Sequence, residues 1–85
     1  MKKDADYFGD EELDLIFIAK RLRDATRLEE ILTAAELDYA VQPDEYLGGI
    51  IFKSKRIGAF FYVRSEVRER AVEVLQTNNY VPAEG

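Results

Sequence analysis

The side chains that could carry out chemistry are few in this chain of 85 residues, because it contains neither cysteine nor histidine. That absence removes disulfides, thiolate metal sites and the commonest general base near neutral pH. Paired carboxylates occur at Glu29 with Glu30 and at Glu69 with Glu73. Arginines neighbour both pairs on predicted helix faces, which is typical of a solvated surface. The sequence therefore predicts a protein that is not an enzyme and that holds no cofactor or metal ion.

A basic run of Lys53, Lys55 and Arg56 is the candidate anion-binding site. It follows the glycine pair Gly48 and Gly49, whose backbone amides could form a nest for an anion. The alternative is that the two glycines only give the backbone freedom. The net charge of −5 argues against strong binding to a nucleic-acid backbone, which usually leaves a basic footprint.

Hydrophobic periodicity assigns the first half of the chain to a strand followed by a helix. Residues 13–19, LDLIFIA, are rich in β-branched and aromatic residues and favour a buried strand. Apolar residues spaced at i, i+3, i+4 and i+7 then predict an amphipathic helix within residues 24–37. Asp24 could cap its start, or Thr26 with Glu29 could form a capping box.

A second strand is expected over residues 38–42, where Pro43 ends it because proline cannot donate to a ladder. Residues 44–49 are then expected to form a loop. The stretch IIFKSKRIGAFFYV, residues 50–63, favours two strands around a tight basic tip.

A second helix is predicted after this hairpin, with Ser65 as its N-cap and Asn78 or Asn79 at its C-terminal end. Tyr80 and Val81 leave room for a short last strand.

This order of elements predicts an α+β fold of the ferredoxin-like type, βαββαβ, with an extra short hairpin between the second and third main strands. In this two-layer sandwich both helices pack on one face of an antiparallel sheet, and right-handed crossovers make the first and third strands the central pair. We expect one domain over residues 13–81 and a short tail, residues 82–85. Residues 1–14 hold six acids against two bases, so residues 1–12 are predicted to be an acidic, flexible leader.

Both predicted central strands are apolar on both sides, although helices can cover only one face of the sheet. We predict that Phe17, Phe60 and Tyr62 share the open face and form a partner-binding surface. Its cover could be the leader or the strand at residues 50–52, or a second copy of the chain. Another protein, a small molecule or single-stranded RNA stacking on the rings are the remaining alternatives.

The stretch RIGAFFYV resembles the RNA-contacting octamer of RNA-recognition domains. Arg56, Ala59 and Phe60 match the octamer, whereas Ile57 and Gly58 stand where a glycine and an aromatic residue are expected. The resemblance implies single-stranded RNA or nucleotide binding by the open face and the basic run. The departures favour the simpler explanation, in which a central strand is rich in aromatic and β-branched residues because they suit a sheet.

A second resemblance covers residues 13–81. The succession LDLIFIAKR, LEEILTAAELDYAV, GAFFYV and RAVEVL is similar to a family of small prokaryotic signal-transducing domains of unknown function, related in fold to the nitrogen-regulatory PII proteins. Glu36 stands where that family often has a glycine at the end of its first helix. The resemblance implies a ferredoxin-like fold and a regulatory or interaction role, and it transfers no site residue.

The sequence thus predicts a non-catalytic regulatory or protein-interaction module that binds a second copy or another protein through the open sheet face. RNA binding is the alternative. No segment approaches the roughly 20 apolar residues that a membrane-spanning helix needs, so we expect a cytoplasmic protein without membrane contact. The sequence names no small-molecule ligand.

Overall fold

The computed structural model describes residues 1–83, which contain three strands and two α-helices. They are β1 (Leu13–Ala19), α1 (Leu22–Ala34), β2 (Ala40–Gly48), β3 (Ser54–Arg64) and α2 (Arg68–Thr77), with 3-10 turns at Ala5–Phe8 and Ser65–Val67. β3 lies in the middle of an antiparallel sheet of order β1-β3-β2. The predicted α+β class, with two helices and an antiparallel sheet, is confirmed.

The full ferredoxin-like order βαββαβ is not present in residues 1–83, because no strand follows α2 there. The segment after α2 reaches β1 through a backbone hydrogen bond from Ala83 N to Ile16 O, at 2.7 Å. Pro82 beside it has no N–H and cannot extend a ladder. β1 is therefore an edge strand of the sheet, and the predictions of a last strand and of a central position for β1 are wrong.

β2 and β3 form one long hairpin, so the extra short hairpin predicted from the sequence is absent from the described chain. β2 continues through Pro43, which pairs with Ala59, and it ends only at Gly48. An edge strand tolerates proline, since the missing N–H can lie on the unpaired side. Residues 50–52 lie in the connecting turn and not in a strand. The predictions that Pro43 ends β2 and that residues 44–49 are a loop are wrong.

Both helices end in the same left-handed turn. Glu36 follows α1 with φ of 59°, and Asn79 follows α2 with φ of 66°. At the end of α1, Leu37 N donates to Leu32 O at 3.1 Å and Glu36 N donates to Thr33 O at 3.0 Å, which is the Schellman pattern. The predicted asparagine end of α2 is confirmed, and α1 adopts the left-handed end without a glycine.

The starts of the helices differ from the predictions. Arg21 occupies the N-cap position of α1 and makes no side-chain capping bond, so Asp24 lies inside the first turn. A carboxylate in that turn still interacts favourably with the helix dipole. Ser65 opens the 3-10 turn before α2, and its hydroxyl donates to Glu12 O at 3.4 Å. The predicted capping roles of Asp24, of Thr26 with Glu29, and of Ser65 are wrong.

The core lies between the sheet and the two helices. Its buried apolar side chains come from β1, β3, both helices and the loop before β2. They are Ile16, Ala19, Ala25, Leu28, Leu32, Leu37, Tyr39, Phe61, Val63, Ala71 and Leu75. The rings of Tyr39 and Phe61 stack with centroids 5.9 Å apart. Burial raises the pKa of Tyr39, and its neutral hydroxyl donates to Glu29 O at 3.3 Å.

The leader contacts the domain beside the edge strand β2. Lys2 forms a parallel bridge with Tyr39, and two backbone bonds support it, from Lys3 N to Tyr39 O at 2.8 Å and from Tyr39 N to Met1 O at 3.1 Å. The 3-10 turn that follows buries the ring of Phe8. The flexibility of the leader stays a prediction.

Candidate interaction surfaces

The two faces of β3 carry different aromatic rings. Phe61 packs with the helices, whereas Phe60 and Tyr62 lie on the opposite side of the sheet, here called the second face. Phe17 is opposite Phe61 in the register and packs against the core. A register shift in β1 just before Phe17 is the cause, because one extra residue reverses the alternation of side chains. The prediction that Phe17, Phe60 and Tyr62 share one face is therefore wrong.

The second face is largely covered at one end. Phe60 is 9% exposed, and Ala40, which pairs with Tyr62, is also buried. Neither belongs to the core cluster beneath the helices. Phe8 of the leader is 2% exposed, and the Arg64 guanidinium lies 5.0 Å from the centroid of its ring. Since Arg64 shares the second face with Phe60 and Tyr62, the leader lies over this end of the face.

Charged contacts hold the leader at Arg64. Arg64 Nε donates to Glu11 Oε2 at 2.8 Å, and Arg64 Nη1 donates to Asp38 Oδ2 at 3.4 Å. The hydrogen bond to Glu11 raises the pKa of Arg64, which keeps the guanidinium charged. Partial burial alone would raise the pKa of Asp38, but the α-ammonium of Met1, together with Lys3 and Arg64, brings it below its usual range.

The other end of the second face carries Tyr46 and Ile18, which flank Gly58. A Cβ atom on Gly58 would lie 3.0 Å from the Tyr46 ring and 3.1 Å from an Ile18 methyl group. Because Gly58 has no side chain, the Tyr46 ring can pack against it. Gly58 is also the position at which the RNA-contacting octamer has an aromatic residue. Lys20 Nζ lies 5.1 Å from the centroid of the Tyr46 ring. Sequence reasoning missed Tyr46 because it placed residues 44–49 in a loop.

Beyond the end of β1, β2 and β3 pair only with each other and form a projecting arm, residues 44–58. Its tip carries three successive large apolar side chains, Ile50, Ile51 and Phe52, which are 98, 84 and 88% exposed. Gly49 turns the chain with φ of 102°, and a Cβ atom there would clash with the Phe52 carbonyl oxygen. These apolar side chains cover no part of the sheet.

The predicted anion-binding residues Lys53, Lys55 and Arg56 all lie exposed on the arm, directly after its tip. Lys55 Nζ is 3.9 Å from the carboxylate of Glu45. The side chain of Arg56 crosses Gly48, where a Cβ atom would lie 2.8 Å from Arg56 Cδ. The three bases thus follow the apolar tip in the chain, but Lys55 and Arg56 lie on opposite faces of the arm, and the binding of an anion stays a prediction.

A groove lies at the base of the arm, on the helix side of the sheet. Apolar side chains of β2 and β3 form its floor, and the first turn of α1 forms one wall. Basic side chains lie at its edge. The main lining residues are Val41, Pro43, Ile57, Leu22, Lys20 and Arg21. Periodicity could not find this groove, because it depends on where α1 begins relative to the hairpin.

Neither a metal site nor a known relative assigns a function. Among residues 1–83, no group of three or more acidic side chains is arranged to hold a metal ion. In the same part of the chain, no helix combines the length and hydrophobicity needed to cross a bilayer. Comparison with family models, curated proteins and solved structures finds no match. The two family resemblances stay predictions.

Proposed function

We propose that the chain is a small, non-catalytic protein-interaction module that contacts its partner through the tip of the arm. The observation that carries this proposal is the exposure of Ile50, Ile51 and Phe52, each with at least 84% of its surface in solvent. Single exposed apolar side chains are ordinary, whereas a contiguous group of large ones is typical of an interaction site. Covering such surface contributes about 25 cal/mol per Å².

The fold itself gives no reason for apolar residues at this tip. None of the three side chains belongs to the core cluster or packs against it. Turn positions usually carry glycine, asparagine, aspartate or serine, which satisfy the backbone locally. The turn geometry here already comes from Gly49. A partner that buries the tip gives these apolar side chains a role.

The arm is also more accessible than the sheet face favoured by the sequence. Phe60 is 9% exposed and lies on the face that the leader partly covers. A partner that used Phe60 would first have to uncover this buried side chain. The tip needs no such rearrangement, so docking there costs less ordering free energy.

RNA binding has weaker support. A base platform needs exposed rings on one surface, but Phe17 packs with the core and Phe60 is buried. Tyr46 and Tyr62 remain on the second face, each half-buried. The bases on the arm belong to a chain with a net charge of −5.

Site-specific photocrosslinking tests the proposal. A photoreactive phenylalanine analogue replaces Ile51 in one variant and Glu73, exposed on α2, in a matched control. We expect a discrete adduct with another protein from position 51 in an extract of the native host, and none from position 73. Excess unlabelled wild-type chain should suppress the adduct, whereas excess Ile50→Ser/Phe52→Ser chain should not.

Two results would contradict the proposal. One is the absence of an adduct at position 51. The other is equal suppression by the wild-type chain and by the doubly substituted chain, because the tip would then not be part of the contact. Circular dichroism of each variant confirms that it is folded.

A further inference from the structure

We propose that the segment bound by the arm is an acidic amphipathic helix of a partner protein, lying from the tip along the helix side of the arm into the groove at its base. This inference rests on the proposed function and names the chemistry of the partner. To bind such a helix, the arm must offer an apolar surface, positive charge beside it and a length that suits a helix.

Two exposed apolar side chains of the arm lie on its helix side and form a strip, as the register of the hairpin shows. Ile57 is opposite Glu45 and Leu47 is opposite Lys55, so Ile57 and Leu47 lie on the same side of the arm. Leu47 is 66% exposed and Ile57 is 65% exposed. Val41 continues this side toward the core and, with Ile57, lines the groove. The strip therefore lies between the groove and the apolar tip, on a side that also carries the Glu45–Lys55 pair.

Bases border this strip at both ends. Arg21 stands at the groove, and Lys53 and Lys55 follow the tip. Lys2 also lines the groove, with its Nζ 3.6 Å from Glu29 Oε1. The acid on this side of the arm is Glu45, which is already paired with Lys55. An apolar strip with a basic border complements a segment whose apolar face is flanked by carboxylates.

The length and shape of the strip favour a helix over the other occupants. Val41 to Gly49 spans eight strand steps, about 27 Å at 3.4 Å per residue, which equals about 18 residues of helix. A flat anionic bilayer can reach the tip but not the recessed groove. The arm of a second copy would bring Lys53 and Lys55 against bases of the same sign.

Designed peptides provide the probe, since the natural segment is unidentified. One is an 18-residue peptide of leucine and glutamate in an amphipathic helical pattern, and its control has lysine in place of every glutamate. Amide chemical-shift mapping on the full chain should show the acidic peptide perturbing both residues 41–43 and residues 50–57. Ile57→Ser and Leu47→Ser should each weaken binding about tenfold, equivalent to about 1.4 kcal/mol. Both side chains are exposed, so the melting temperature should not change.

The outcomes separate this inference from the proposed function. Absence of shifts with the acidic peptide, or equal binding of the lysine peptide, overturns the inference. Vesicles of phosphatidylglycerol that shift residues 50–53 while the acidic peptide shifts nothing would assign the tip to a lipid surface instead. A crosslinked protein at position 51 together with an inert acidic peptide would leave the proposed function standing and refute the acidic helix.

Discussion

Replacing Phe8 by alanine tests whether the leader covers the second face of the sheet. The Phe8 side chain is 2% exposed, and the Arg64 guanidinium lies over its ring. Full burial of a phenylalanine contributes about 1.5–3 kcal/mol, and truncation in a deep core costs about 3–5 kcal/mol. Phe8 is the last residue of a short 3-10 turn, which can shift to fill the space left by a smaller side chain, so we expect Phe8→Ala to cost about 2 kcal/mol. For a domain of this size that lowers the melting temperature by about 8–16 °C.

Thermal and urea denaturation followed by circular dichroism measure this loss, and amide chemical shifts report whether Phe60 and Tyr62 change their surroundings. Tyr7→Ala is the matched control, because the Tyr7 ring is 52% exposed and its truncation should cost less than about 1 kcal/mol. A Phe8→Ala variant that melts within 2 °C of the wild type, a limit of roughly 0.4 kcal/mol, would refute the argument. The second face would then be open and the leader as flexible as the sequence predicts.

Three further predictions follow from the backbone and the charges. Glu36→Gly should raise the melting temperature by about 4–8 °C, because glycine relieves about 1 kcal/mol of left-handed strain. Glu36→Ala should give no such gain. An equal gain from Glu36→Ala would show that loss of the Glu36 charge was responsible. Because the folded pKa of Asp38 is lowered, its contribution is present above the unfolded pKa of about 3.9 and is lost as the pH falls through the folded pKa. Asp38→Asn should therefore melt below the wild type at pH 7, with a difference that starts to shrink below about pH 4 and disappears below the folded pKa of Asp38. A difference that does not change with pH would contradict this cause. Gly49→Ala should change the amide shifts of the arm tip with little effect on the melting temperature, whereas loss of the whole fold would show that the arm is not separate from the core.

The sequence predicted those features that depend on local pattern. The two amphipathic helices, the strand at residues 13–19 and the asparagine end of α2 each follow from residue spacing or backbone preference. The α+β class follows from their order. These signals are local, so they hold wherever the rest of the chain lies.

The predictions failed where the outcome depends on parts of the chain that are distant in sequence. Pro43 lies in β2 because β2 has a free edge, and edge position is not a local property. One extra residue in β1 places Phe17 on the core side, and simple alternation cannot show such a bulge. The prediction of the candidate site failed for a similar reason. Residues 50–52 have the apolar composition of a buried strand, yet they are exposed.

The two-stranded construction of the arm has a consequence for how this protein can change over generations. Residues 44–58 pair only with each other and contribute no member to the buried core, so their substitution changes global stability little. In most proteins a new binding residue lowers the folding stability, because the side chains that bind a partner also help to stabilise the fold. Here the tip can vary in shape and polarity while Phe61, Val63 and their neighbours keep the fold. Under the proposed function, the choice of partner can therefore diverge much faster than the fold.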